Sequence, residues 1–119
     1  MQALLDAIAR MDRPTDAGRI FHGRGGLHPG CEHWALDAYP PVLLLTSFRA
    51  MDEAEIGAVG DALAARWRQL DAGPLNWVLQ LREGGGRTET RLMAGAVPDA
   101  HEVTEDGLRY RVHLLRGQN

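Results

Sequence analysis

Three histidines and one cysteine fall within twelve residues of this 119-residue chain: His22, His28, Cys31 and His33. Imidazole and thiolate are ligand types that close a tetrahedral zinc site, so the cluster is a candidate metal centre. Its spacing, His-x5-His-x2-Cys-x-His, matches none of the familiar zinc patterns, and loop histidines more often bond backbone or water. No metal is therefore assigned to it. The overlapping run Gly23-Arg24-Gly25-Gly26 offers a second chemistry, an anion nest of backbone N–H groups with Arg24 as charge partner. It lacks the Lys-Ser/Thr ending of a P-loop and does not lead from a strand into a helix. The structural alternative is a tight loop that uses glycine to pass close to neighbouring backbone.

Nucleophilic chemistry has little to work with. Ser47 is the only serine and sits in an apolar run without a Gly-x-Ser-x-Gly elbow. Cys31 has His28 and His33 close in sequence, which could activate its thiol, but adjacency alone does not make a catalytic pair. The carboxylates Glu53/Glu55 and Glu102/Glu105/Asp106 read as helix capping and turn solvation. No catalytic and no cofactor-binding residue is assigned. Arg82, Arg87 and Arg91 flank one expected hairpin, and Arg109 and Arg111 line a later strand. With His22 and Arg24 they are the candidates for contact with a substrate, against the plain reading of a solvated sheet face.

The elements that must position these residues follow from periodicity. Residues 2–12 space Leu4, Leu5, Ile8 and Met11 as a short amphipathic helix, ended by Pro14. Residues 15–33 are rich in glycine and histidine and read as loop. Trp34–Ala38 alternates as a strand, and Val42–Phe48 is a nearly unbroken apolar run that suits a central strand covered on both faces. Asp52 is a helix N-cap, with Glu53 and Glu55 favourable against the helix dipole. Ile56, Val59, Leu63, Trp67 and Leu70 then form one stripe of a helix over about 53–70, stopped by Ala72-Gly73-Pro74.

Residues 75–82 and 87–94 form a hairpin around Glu83-Gly84-Gly85-Gly86. A last hairpin, 101–104 with 108–115, turns at Asp106-Gly107. In its second strand Leu108, Tyr110, Val112 and Leu114 share a face opposite Arg109, Arg111 and His113. The order predicts an α+β fold: a mostly antiparallel sheet with one long helix packed across it, plus the short N-terminal helix. The organisation is residues 1–33 (helix and Gly/His-rich loop) and 34–119 (α+β domain), in one compact unit.

Composition bounds the function. Hydrophobic residues make up 45% and charged residues 24%, a globular balance for which disorder is not the default reading. Net charge is −3 and all thirteen basic residues are arginine. An acidic balance argues against gripping nucleic acid through the overall field, while leaving a local basic patch open. A single cysteine precludes an internal disulfide and fits a reducing compartment. No apolar run is long enough for a membrane span, and the start lacks the pattern of a signal peptide. The cytoplasm is the expected location.

Three stretches carry a family resemblance: Gly18-Arg19-Ile20-Phe21-His22-Gly23-Arg24-Gly25-Gly26, Tyr39-Pro40-Pro41-Val42-Leu43-Leu44-Leu45-Thr46, and Glu105-Asp106-Gly107-Leu108-Arg109-Tyr110 running on to Gly117-Gln118-Asn119. Together they resemble the N-terminal portion of bacterial class I S-adenosylmethionine (SAM)-dependent methyltransferases, in the group similar to the cytosine-5 methyltransferases of large-subunit ribosomal RNA. There a small α+β domain precedes a Rossmann-like catalytic domain. The resemblance implies SAM as cofactor of the parent protein, a catalytic methyltransferase domain as partner, and RNA as eventual substrate. The family's cofactor and catalytic residues would lie past Asn119, so none is carried onto this sequence. A different reading is a free-standing protein-interaction or self-association module whose exposed sheet edges pair between chains into a homo-oligomer. The substrate, the atom modified and the oligomeric state are not written in the sequence.

Overall fold

The computed structural model describes residues 1–25, 28–83 and 86–116. Gly26, Gly84, Gly85 and the run Gly117-Gln118-Asn119, all named above, lie outside the described residues. Helix α1 (Gln2–Arg10) is followed by strands β1 (Gly18–His22), β2 (Trp34–Tyr39) and β3 (Val42–Ser47). Helix α2 (Glu53–Leu70) leads to β4 (Trp77–Arg82), β5 (Thr88–Ala94), β6 (His101–Glu105), β7 (Leu108–Val112) and a 3-10 turn at Leu114–Arg116. Strands β1 to β5 form one sheet in sequence order, and β6 and β7 form a separate two-stranded ribbon. All neighbours are antiparallel except β3 and β4, which are parallel and joined through α2. The architecture is the α+β sandwich expected from the sequence.

Alternation along the strands builds two cores. One face of the sheet presents Phe21, Trp34, Leu36, Leu43, Leu45, Trp77 and Leu79 to the helices, which answer with Leu4 and Ile8 of α1 and Ile56, Val59, Leu63 and Trp67 of α2. The opposite face presents Val42, Leu44 and Val78 to Val103, Val112 and Leu114. All six residues of β3 are buried, because the helices cover one side and the ribbon with its following turn covers the other. That is the central strand the apolar run predicts.

Local signals fix the element ends. Asp52 and Glu55 form a reciprocal capping box at the start of α2. Asp71 closes α2 in the left-handed region (φ 51°), with its N–H directed to the Trp67 and Arg68 carbonyls. Asp106 and Gly107 both have positive φ, as a tight hairpin turn requires.

Two local expectations are corrected. The segment read as loop contains β1, whose register with β2 slips between Arg19 and Phe21. That irregularity breaks the period-two pattern by which a strand is recognised. The last strand ends at Val112 rather than 115. Leu114 is fully buried in the second core, and the chain leaves the strand path for a 3-10 turn there.

Candidate functional site

The carboxyl ends of two parallel strands are where open α/β units bind ligands, and in this fold that place is the β3–α2 turn. Ser47 is buried and donates its hydroxyl to the Arg49 carbonyl at 2.7 Å. Arg49 then reaches back across the turn. Its Nε donates to His33 Nε2 (2.7 Å), Nη1 to the Ala50 carbonyl (2.6 Å) and Nη2 to Glu55 Oε2 (2.8 Å). The guanidinium lies 5.1 Å from the centre of the Trp34 ring, and the His33 ring lies 4.0 Å from that same indole.

The electrostatics follow from these bonds. A His33 nitrogen that accepts from Arg49 must be unprotonated. Burial, and then the Arg49 charge, hold His33 below its ordinary value. The Glu55 carboxyl is held low chiefly by its hydrogen bond from Arg49. The knot ties the loop before β2 to the start of α2.

The same bonds bear on whether the turn fits a methyl-donor cofactor. A nucleotide-like ligand would need the free N–H groups of the helix start and room in the turn. Here Asp52 accepts the Glu55 N–H (2.7 Å), Glu55 accepts the Asp52 N–H (3.2 Å), and the Arg49 guanidinium is bonded across the turn to the Ala50 carbonyl and Glu55. The described residues of this turn, capped and bridged among themselves, do not make an open cradle for such a cofactor.

The histidines and cysteine singled out in the sequence are not brought together. His22 is exposed at the end of β1, opposite Ala35. His28 lies against the Phe21 ring at 5.2 Å, Cys31 is buried, and His33 is engaged with Arg49. Among the described residues no group of three or more His, Cys, Asp or Glu side chains is placed to hold a metal ion. Gly23 has the structural role foreseen as the alternative: a Cβ there would overlap the Cys31 carbonyl.

The arginine candidates divide among three places. Arg24 lies 4.8 Å over the ring of Phe48, itself 39% exposed, which makes an open cation–aromatic platform. Cross-strand register puts His22 in one row with Ala35, Thr46, Gln80 and Thr90. Arg82 is on the same sheet face as that row and donates to Gln80 Oε1 at 2.7 Å. Arg91 points to the helix side and pairs with Glu89 and, at 3.7 Å, with Glu53 of α2. Arg87 is exposed beside Glu83 and Glu89. Arg109, 3.6 Å from Glu102, and Arg111 line the ribbon face opposite the buried Val103 and Val112.

A further polar cluster escaped the sequence reading. Arg19 pairs with Asp37 across β1 and β2 at 2.9 Å, and Tyr110 donates its hydroxyl to Glu105 at 2.8 Å. Arg19, Asp37 and Glu105 border a recess with Gly18 and Tyr39. Burial and the Glu105 carboxylate push the Tyr110 phenol up to about 12, and burial pushes Tyr39 up. Both phenols therefore stay protonated donors at neutral pH. The signal in the sequence was Asp37, a charge inside an otherwise apolar strand.

No family model matches the chain, and no curated protein matches it. Among solved structures, a proposed SAM-dependent methyltransferase from Streptococcus mutans is similar with a TM-score of 0.58 at 17% identity, over 95% of this chain and 30% of that one. SMU.776, a proposed methyltransferase complexed with SAH, gives 0.58 at 18% identity with the same coverages, 95% and 30%. The chain thus spans about 30% of the length of the structures it matches. Among the described residues no helix is long and apolar enough to cross a membrane. What the chain shares with these methyltransferase chains is the fold of one part of them.

Proposed function

We propose that this chain is the accessory N-terminal domain of a SAM-dependent methyltransferase acting on RNA, positioning substrate beside a separate Rossmann-like catalytic domain. The observation that carries the reading is the match of nearly the whole chain, 95%, to a 30% portion of methyltransferase chains. The capped and bridged β3–α2 turn supports a division of labour in which the cofactor belongs to the other domain. The contact surface would be the exposed Phe48 ring with Arg24 over it, joined by His22 and Arg82. An exposed aromatic beside arginine stacks unpaired bases, the usual handle for single-stranded RNA loops.

Fluorescence anisotropy with a structured, loop-bearing RNA tests this. The expected result is binding at low salt that weakens as salt rises. Arg24→Ala and Phe48→Ala should each lower affinity several-fold. RNA affinity that is undetectable at about 50 mM salt would remove direct RNA contact by this domain.

A further inference from the structure

We propose that the chain forms a two-fold dimer by antiparallel pairing of β5 with β5 of a second copy, in the register that sets Thr90 opposite Thr90. The inference is independent of the methyltransferase reading. It starts from the sheet order, in which β5 is an end strand with β4 as its neighbour. At the other end of the sheet, the residue before β1 is already engaged by the ribbon through Ala17 N–H to the Thr104 carbonyl, 2.7 Å.

The phase of the β4–β5 ladder shows which groups of β5 point outward. Glu83 N–H donates to the Arg87 carbonyl, so that opposed pair is hydrogen-bonded. Pairs alternate along an antiparallel ladder. Leu81/Glu89 and Leu79/Arg91 are therefore bonded, while Arg82/Thr88, Gln80/Thr90 and Val78/Leu92 are not. Thr88, Thr90 and Leu92 consequently turn their N–H and C=O groups away from β4. The register slips between Trp77 and Val78, which leaves Met93 unopposed and Thr88–Leu92 as the regular run. Its midpoint is Thr90.

Charge then selects among the symmetric registers. Centred on Thr90, each Glu89 faces Arg91 of the other copy, at a non-hydrogen-bonded position where side chains approach closest. Centring on Arg91 would oppose arginine to arginine, and centring on Glu89 would oppose carboxylate to carboxylate. The Thr90 register places two complementary pairs inside the regular run; centring on Thr88 would also set Glu89 against Arg87, but it carries the pairing off that run into the turn between β4 and β5. The run Thr88-Glu89-Thr90-Arg91-Leu92 has no proline, its two charges are of opposite sign, so a second copy can answer each of them, and Leu92 is 46% exposed. An isologous pairing uses up both edges and closes at two copies.

Sedimentation velocity on the 119-residue chain from about 1 to about 300 µM reads the outcome. The proposal expects a reversible monomer–dimer equilibrium. Arg91→Glu, which opposes carboxylates at both positions, should weaken dimerisation at least about tenfold. The swap Glu89→Arg with Arg91→Glu should restore it. Thr90→Pro should abolish it by removing an outward N–H, with the circular dichroism of the monomer unchanged. A chain that stays monomeric across the range overturns the proposal. So does a dimer that is indifferent to Arg91→Glu and Thr90→Pro, or a charge swap that fails to rescue.

Discussion

Replacing Arg49 with methionine keeps most of the side-chain stem and removes the charge that ties the β3–α2 turn together. Its ion pair joins an arginine 45% exposed to a glutamate 22% exposed, which after solvent screening contributes about 0.5 kcal/mol. The bonds to the Ala50 carbonyl and to His33 Nε2 contribute about 0.5 kcal/mol each. The contact over Trp34 contributes about 0.5 kcal/mol more. Arg49→Met should therefore lose about 2 kcal/mol in urea unfolding, with an unchanged m-value, and its Tm should fall by about 8 °C.

Acid pH should act on the same knot. The folded state resists protonation of His33 while the unfolded chain takes the proton near pH 6.5. Stability is then full above about pH 6.5 and is lost as pH falls through the lower folded value. The loss should be smaller in Arg49→Met, where the charge opposing that proton is gone. A stability change under about 0.5 kcal/mol, or an acid limb unaltered in the variant, would refute the reasoning.

Leu45 is fully buried in the central strand, so Leu45→Ala should cost about 3–4 kcal/mol in chemical denaturation, whereas Leu108→Ala, at a position 73% exposed, should stay within about 0.5 kcal/mol. Gly23→Ala would drive a Cβ into the Cys31 carbonyl and should cost roughly 2 kcal/mol or more, read as a drop in Tm. Both tyrosines, Tyr39 and Tyr110, are held above the ordinary phenol value, Tyr110 up to about 12, so phenolate absorbance should lag behind that of free tyrosine at about pH 10, and Tyr110→Phe should remove the part of the rise that comes near pH 12.

The parts of the fold legible in the sequence are those whose signals are local. The stripe Ile56, Val59, Leu63 and Trp67, bounded by Asp52 and Ala72-Gly73-Pro74, marks α2 to its ends because one helix face and two stops suffice. Likewise the run from Val42 marks a strand covered on both sides, and Asp106-Gly107 marks its turn. Strand β1 was hidden because a slip after Arg19 spoils its alternation. The parallel pairing of β3 and β4 through α2 was available in principle from the order strand, helix, strand.

The site was less legible, since its contacts join distant segments. Arg49 meets His33, Trp34 and Glu55, a convergence that only the assembled sheet creates. The histidines and cysteine, so close along the chain, diverge because Cys31 turns into the core while His22 is exposed. For the arginines, sequence spacing separates faces of one strand but cannot say that Arg91 faces α2 while Arg82 takes the other side.

Isothermal titration calorimetry of S-adenosylhomocysteine into the 119-residue chain tests the accessory-domain reading most directly. With the Asp52–Glu55 box capping α2 and the Arg49 guanidinium bonded across the β3–α2 turn, the expected result is no saturable heat up to about millimolar ligand. A stoichiometric site with Kd below about 10 µM would contradict it.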